Sequence, residues 1–167
     1  MPDTLLDKVR NREDFLGALV FDKWVSNADG RQAVFFRARV REWVPMAAEA
    51  HPLTMGFIAM MIDHGFAFNG PEWNFVDSPV QGLYPRKQVY DGVASLAQFE
   101  PWLERVIHFP EEVVDQACKQ VPPEWLAGEE DQFARMVERL MRRRRRVPDL
   151  ILDARRARVN PFGSWKE

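Results

Sequence analysis

One cysteine in 167 residues, Cys118, leaves nothing for a disulfide framework or a cysteine-based zinc site. Long apolar runs are also absent. No stretch approaches the ~20 residues that span a bilayer, and the opening MPDTLLDKVR lacks the apolar centre of a signal peptide. His51, His64 and His108 have no ligand-like spacing, which argues against zinc. The nine glycines are scattered, so there is no glycine-rich phosphate loop, nor a strand bearing a phosphate-pairing lysine. No internal repeat is present. These absences predict a soluble, cytoplasmic protein with no membrane partner.

What the chain does have is enough apolar material for one packed domain. It is 46% hydrophobic, with twelve Phe and six Trp. A chain of this size buries roughly 70% of the surface its unfolded form exposes. The net charge of −2 hides an asymmetry: residues 1–134 hold 12 Lys/Arg against 21 Asp/Glu, whereas 135–158 hold ten Arg against three acids. The body is acidic and a late segment is basic.

Asn11, followed by Arg12, Glu13 and Asp14, reads as a capped helix start. Phe15, Leu16, Leu19, Val20, Trp24 and Val25 continue as an amphipathic stripe, so the pattern predicts a helix over 12–25. Residues 26–30 (SNADG) are a turn. Residues 33–38 and 56–62 read as strands joined by a long connection containing Pro45 and Pro52, and together they predict an antiparallel hairpin. Asp29 then precedes the first strand and Asp63 follows the second, so the two lie at the same edge of the pair. Residues 64–92 have loop composition. Beyond them the chain is helical: a stripe from Leu96 to Ile107 with Ser95 and Gln98 as a capping box, unless Pro101 sets a boundary at Phe99. Further helices are predicted at 111–120 and 129–147, and after a break at 148–158. The expected fold is α+β, mainly helical, with one small hairpin, in a single domain spanning 1–167.

Asp29 and Asp63 are the candidate chemical pair. Phosphoryl transfer asks for one carboxylate to orient the attacking hydroxyl and another to hold the magnesium that bridges the nucleotide phosphates. The alternative is that each aspartate simply caps a turn. His64 is either a neighbour of that site or a hydrogen-bonded loop histidine. Trp73 is the aromatic best placed to cover its edge, while Cys118, Trp24 and Trp102 read as core.

The segment 21–36 (FDKWVSNADGRQAVFF) resembles the catalytic-loop region of the HipA-like kinase family, and 61–68 (MIDHGFAF) resembles its metal-binding segment. The second is also similar to the IDHG element of phosphatidylinositol 3- and 4-kinases. Glu72-Trp73-Asn74-Phe75 and Gly82-Leu83-Tyr84 continue the resemblance, which runs from about Asn11 to Trp165. It implies a protein-kinase-like C-terminal lobe using ATP and Mg²⁺, with Asp29 as the catalytic aspartate and Asp63 as the metal ligand. It further implies a protein Ser/Thr or small-molecule hydroxyl as substrate, and an antitoxin-like or nucleotide-lobe partner.

Two departures accompany it. The family places an Asn, a second metal ligand, five residues after the catalytic aspartate. Val34 stands there, with Gln32 and Asn27 as the nearest polar substitutes at a cofactor. The family's nucleotide lobe has no counterpart in these 167 residues, which suit its larger helical lobe, so a chain without turnover of its own is the expectation. Loss of both features points to the alternative, a non-catalytic interaction module. The run Arg142–Arg146 reads first as a solvated helix end marked by Pro148, then as a phosphate or nucleic-acid surface, then as an intramolecular partner for the acidic body. Nucleic acid is not the expected partner, since no aromatic residues interleave the run.

Overall fold

Phe15, Leu16, Leu19, Val20 and Trp24 share one side of a helix by their spacing, and all five are buried on helix α1, Asp14–Val25. The structure, a computed structural model, describes residues 3–44, 47–49 and 51–166. Helix α1 starts two residues later than the stripe suggests, because the Asn11 side chain does not cap it. Its amide turns to a strand instead: Nδ2 donates to the Ala59 carbonyl at 2.7 Å, and Oδ1 accepts from the Ala59 N–H at 2.8 Å. At the far end Ser26 takes the left-handed conformation (φ 53°) and closes the helix onto the Asp22 carbonyl.

The two strands form as expected, the first longer by one residue at each end and the second by one residue at its start. β1 (Gln32–Arg39) and β2 (Met55–Ile62) pair antiparallel, in unbroken register from Gln32 opposite Ile62 to Arg39 opposite Met55. Between them the connection begins with a single helical turn, α2, Val40–Trp43; Pro45 lies outside the described residues. Because partners across a ladder share a face, Ala33, Phe35, Phe57 and Met61 point together toward the core, where Phe35 stacks on Phe15 at 6.4 Å. The opposite face carries Val34 and Met60, 39% and 41% exposed, and Phe36, which meets Trp43 edge-on at 4.9 Å.

The body behind the sheet is built from α3 (Trp102–Ile107), α4 (Glu111–Cys118), α5 (Glu130–Arg143) and α6 (Val147–Arg156). The architecture is α+β. The Leu96–Ile107 stripe is divided at Pro101: Ser95 and Gln98 do form the capping box, but it caps a short 3-10 turn, Leu96–Phe99, and α3 follows separately. Helix α1 runs through the middle, with the Trp24 indole donating to the Leu140 carbonyl at 2.9 Å. Phe162 gathers Tyr90, Phe99 and Trp165 within 5.7 Å of its ring. Truncating a core Leu such as Leu19 typically costs about 2–5 kcal/mol. Among the described residues no helix is long and apolar enough to cross a membrane.

The arginine run is not a solvated helix end. Pro148 lies in the first turn of α6, so residues 144–146 form a 3-10 joint between two helices. Arg143 is buried, donating to the Lys23 carbonyl at 2.7 Å and pairing with Asp77, which Arg146 also meets at 2.7 Å. Arg144 reaches the Phe109 carbonyl at 2.6 Å and Glu111 at 3.0 Å. Arg142 pairs with Glu138 one turn back. The intramolecular reading, ranked last from the sequence, describes three of the five. The Lys23 and Phe109 carbonyls and the Asp77 carboxylate draw these cations in, since a polar group removed from water needs a partner.

Candidate active site

Asp22 falls on the buried stripe of α1, one turn after Leu19, and is fully inaccessible. A carboxylate in that position needs a cation, and Arg31, equally buried, provides one. The guanidinium grips Asp22 with two nitrogens, Nε lying 2.8 Å from Oδ2 and Nη2 pairing with Oδ1. Asn27 adds a hydrogen bond to Oδ1 at 3.1 Å. Burial pushes the Asp22 carboxyl above its ordinary value, while Arg31 and Asn27 pull against that shift.

The third guanidinium nitrogen carries this anchor to the other half of the hairpin. Arg31 Nη1 donates to the carbonyls of Ile62 at 3.0 Å and Asp63 at 3.1 Å, and lies 3.3 Å from His64 Nδ1. Asp63 has a left-handed backbone (φ 63°), which Asp tolerates better than most residues. The grip on its carbonyl holds the chain there. Both loops therefore hang from one buried ion pair.

On this base the two candidate carboxylates reach solvent. Asp29 is exposed, with Oδ1 taking the Gly30 N–H at 2.7 Å, and its own N–H donating to Asn27 Oδ1 at 3.4 Å. Asp63 is exposed too, with Oδ1 accepting from the Gly65 N–H at 3.2 Å and Oδ2 from the Gln32 side-chain amide at 2.9 Å. The segment after the loop supports Asp29 from outside: the Gly82 N–H donates to the Asp29 carbonyl, and the Arg31 N–H to the Leu83 carbonyl, both at 3.1 Å. Gly82 has φ +73° and lies so close to Asp22 that a Cβ there would overlap that side chain.

Four sequence candidates thus surround Arg31 in different roles. Asp29 and Asp63 present carboxylates, and Gln32 is bound to Asp63. Asn27 is buried and turned toward Asp22, so it shapes the loop. Val34 is on the outer face of the sheet, one same-face position beyond Gln32, and offers no ligand atom. Trp73 is away from this group, meeting Phe133 at 6.1 Å. A groove of about 290 Å³ has Arg31 and His64 on its wall with Asp14, Phe21, Met61 and Trp102.

Among the described residues no group of three or more His, Cys, Asp or Glu side chains is set to hold a metal. Two carboxylates and an amide still suit magnesium, an oxygen-seeking ion that keeps water and takes ligands from substrate phosphates. They do not suit zinc, which wants nitrogen or sulfur.

Sequence reasoning passed over Asp22, Arg31 and Lys23. Lys23 is also buried, its ammonium donating to the carbonyls of Ser78 at 2.9 Å and Pro79 at 3.0 Å. Burial, helped by the nearby Arg143 charge, lowers its pKa from 10.5 to about 8. The available signal was two charged residues next to each other between Val20 and Trp24, inside an otherwise apolar stripe.

No protein-family model, curated protein or solved structure matches this chain.

Proposed function

We propose that this chain is a kinase-type catalytic lobe of the HipA-like class, which binds Mg²⁺–ATP and directs its terminal phosphate to a hydroxyl group. The observation that carries the reading is the Arg31 guanidinium, which joins the Asp29 loop to the Asp63 turn through one buried pair with Asp22. Phosphoryl transfer is mainly positioning and electrostatics, so a fixed relation between two carboxylates is the property it needs from a protein.

In this reading Asp63 holds the metal, with Gln32 fixing its carboxylate orientation. Asp29, which has one oxygen not engaged by Gly30, orients the acceptor hydroxyl and takes its proton. Magnesium supplies charge neutralisation on the phosphates when bound. The apolar rung of Val34 and Met60, next to Gln32 on the outer face, offers a floor for a flat base. Val34 also favours a second reading, a non-catalytic interaction module, because it removes a ligand that the resembled family uses.

Titration with a fluorescent ATP analogue separates the two. The catalytic-lobe reading expects binding that needs magnesium, that is lost in Asp63→Ala, and that persists in Asp29→Ala. Equal binding with and without magnesium overturns it, and no binding at all leaves the interaction module.

A further inference from the structure

A two-stranded sheet has two outer edges, and here they are treated differently. On the β2 side, the Arg10 N–H donates to the Phe57 carbonyl at 2.9 Å, and the Asn11 side chain takes both backbone groups of Ala59. These bonds fix which rungs point outward. Phe57 and Ala59 face away from β1, so their partners Arg37 and Phe35 face away from β2, and Ala33 follows by alternation. The outward N–H and C=O groups of Ala33, Phe35 and Arg37 have no hydrogen-bond partner among the described residues. Among the described residues, backbone bonds to this edge occur before the strand begins, where Gly82 and Leu83 pair with Asp29 and Arg31.

Free edges are usually blunted against self-pairing by proline, a bulge or charged side chains. β1 has no proline, and its register is unbroken over eight rungs. Its far end carries arginines instead: Arg37 and Arg39 on the strand and Arg41 on α2. Arg39 pairs with Glu42 at 3.4 Å, whereas Arg37 and Arg41 have no ion pair among the described residues. A second copy of this chain would bring the same arginines to the edge, whereas an acidic segment would neutralise them.

We propose that the open edge of β1 receives an extended acidic peptide segment as a third strand. Backbone bonds to Ala33, Phe35 and Arg37 supply affinity, and the arginine end selects acidic side chains. Leu83 stops the added strand at Arg31, so its end lies beside Gln32, which holds Asp63. Arg37 lies five positions after Gln32, about 17 Å of strand at ~3.3 Å per residue. The segment therefore carries its acids about five residues from the residue delivered to the carboxylates. Resting on the phosphotransfer reading, this makes the substrate a protein segment with a Ser or Thr at one end and acids at the other.

The test uses the full chain without nucleotide and a fluorescein-labelled ten-residue peptide: Ser at one end, alternating Val and Thr in the middle, Glu at the other. The reversed peptide serves for the opposite strand direction. Fluorescence anisotropy is expected to show binding of one of the two. Affinity should fall at least tenfold when one set of alternate peptide amides is N-methylated, and much less for the other set. Arg37→Glu should lose a similar factor. Ala33→Pro removes an outward N–H without touching the ladder to β2, and should also weaken binding. Unchanged affinity for both methylated peptides, or no binding in either direction, overturns the proposal. So does a dimer seen by sedimentation that Ala33→Pro dissolves and the peptide cannot displace, which would assign the edge to a second copy. Because nucleotide is absent, failed peptide binding beside retained magnesium–nucleotide binding rejects the docking alone, and the reverse pattern rejects only the phosphotransfer reading.

Discussion

Arg31 matters to the stability of this protein chiefly as the buried partner of Asp22. Removing it leaves Asp22 buried and unpaired, which typically costs about 3–5 kcal/mol, while replacing both partners by apolar residues is often close to neutral. Arg31→Met is therefore expected to destabilise strongly in urea unfolding, and Asp22→Leu with Arg31→Met to recover most of the loss. A single variant costing under ~1 kcal/mol would contradict the pairing. Lys23 gives a second test at this scale. Its pKa is about 8 when folded and near 10.5 when unfolded, so the native state holds fewer protons between those values. Stability is expected to rise as pH climbs from about 8 toward 10, by up to about 3 kcal/mol in all, and Lys23→Met should flatten that rise. A flat profile in the parent chain would contradict it. The sequence held half of this information. Charged Asp22 and Lys23 interrupt an apolar stripe and so require partners, but Arg31 and the loop at 77–79 meet them only after the chain reverses at Ser26 and beyond Asp63. Periodicity does not describe those reversals.

Among elements, the hairpin and the helices were legible where one period persists. β1, β2, α1 and α4 lie within two residues of the positions their patterns predict. The misreadings fall where a polar residue serves a distant element. Asn11 has every local feature of a helix cap, yet its amide completes the β2 edge at Ala59, 48 positions away. Asn11→Ala is expected to cost about 1–3 kcal/mol, since two buried backbone groups lose their partners. Hydrogen exchange at the Ala59 amide should speed up more than exchange in α6. Equal effects on both would show that Asn11 acts only on global stability. Pro148 misled in a similar way, because a proline is as welcome in a first helical turn as after a last one.

At the scale of the whole molecule, charge is used to tie the helical body to the site. The acidic front and basic end of the chain meet where Arg143 and Arg146 hold Asp77, and Arg143 and Lys23 sit back to back under the same loop. That segment leads through Pro79 to Gly82 and Leu83, which brace the Asp29 loop. The charge asymmetry was visible in the sequence, but its destination was not, since a run of arginines looks the same in solvent as in a joint. That Asp29 and Asp63 fall at one end of the hairpin was legible, because the antiparallel register alone demands it. The central claim is that this supported pair forms a magnesium–nucleotide site, and a thermal shift measurement addresses it directly. A ligand that binds only the folded chain at a hundred times its Kd adds about 2.7 kcal/mol, which for a domain of this size raises Tm by several degrees. With a non-hydrolysable ATP analogue, Tm is expected to rise in the presence of Mg²⁺, and not when EDTA replaces it or when Asp63 is changed to Ala. An unchanged Tm under all three conditions, or an equal rise in all three, would contradict the account.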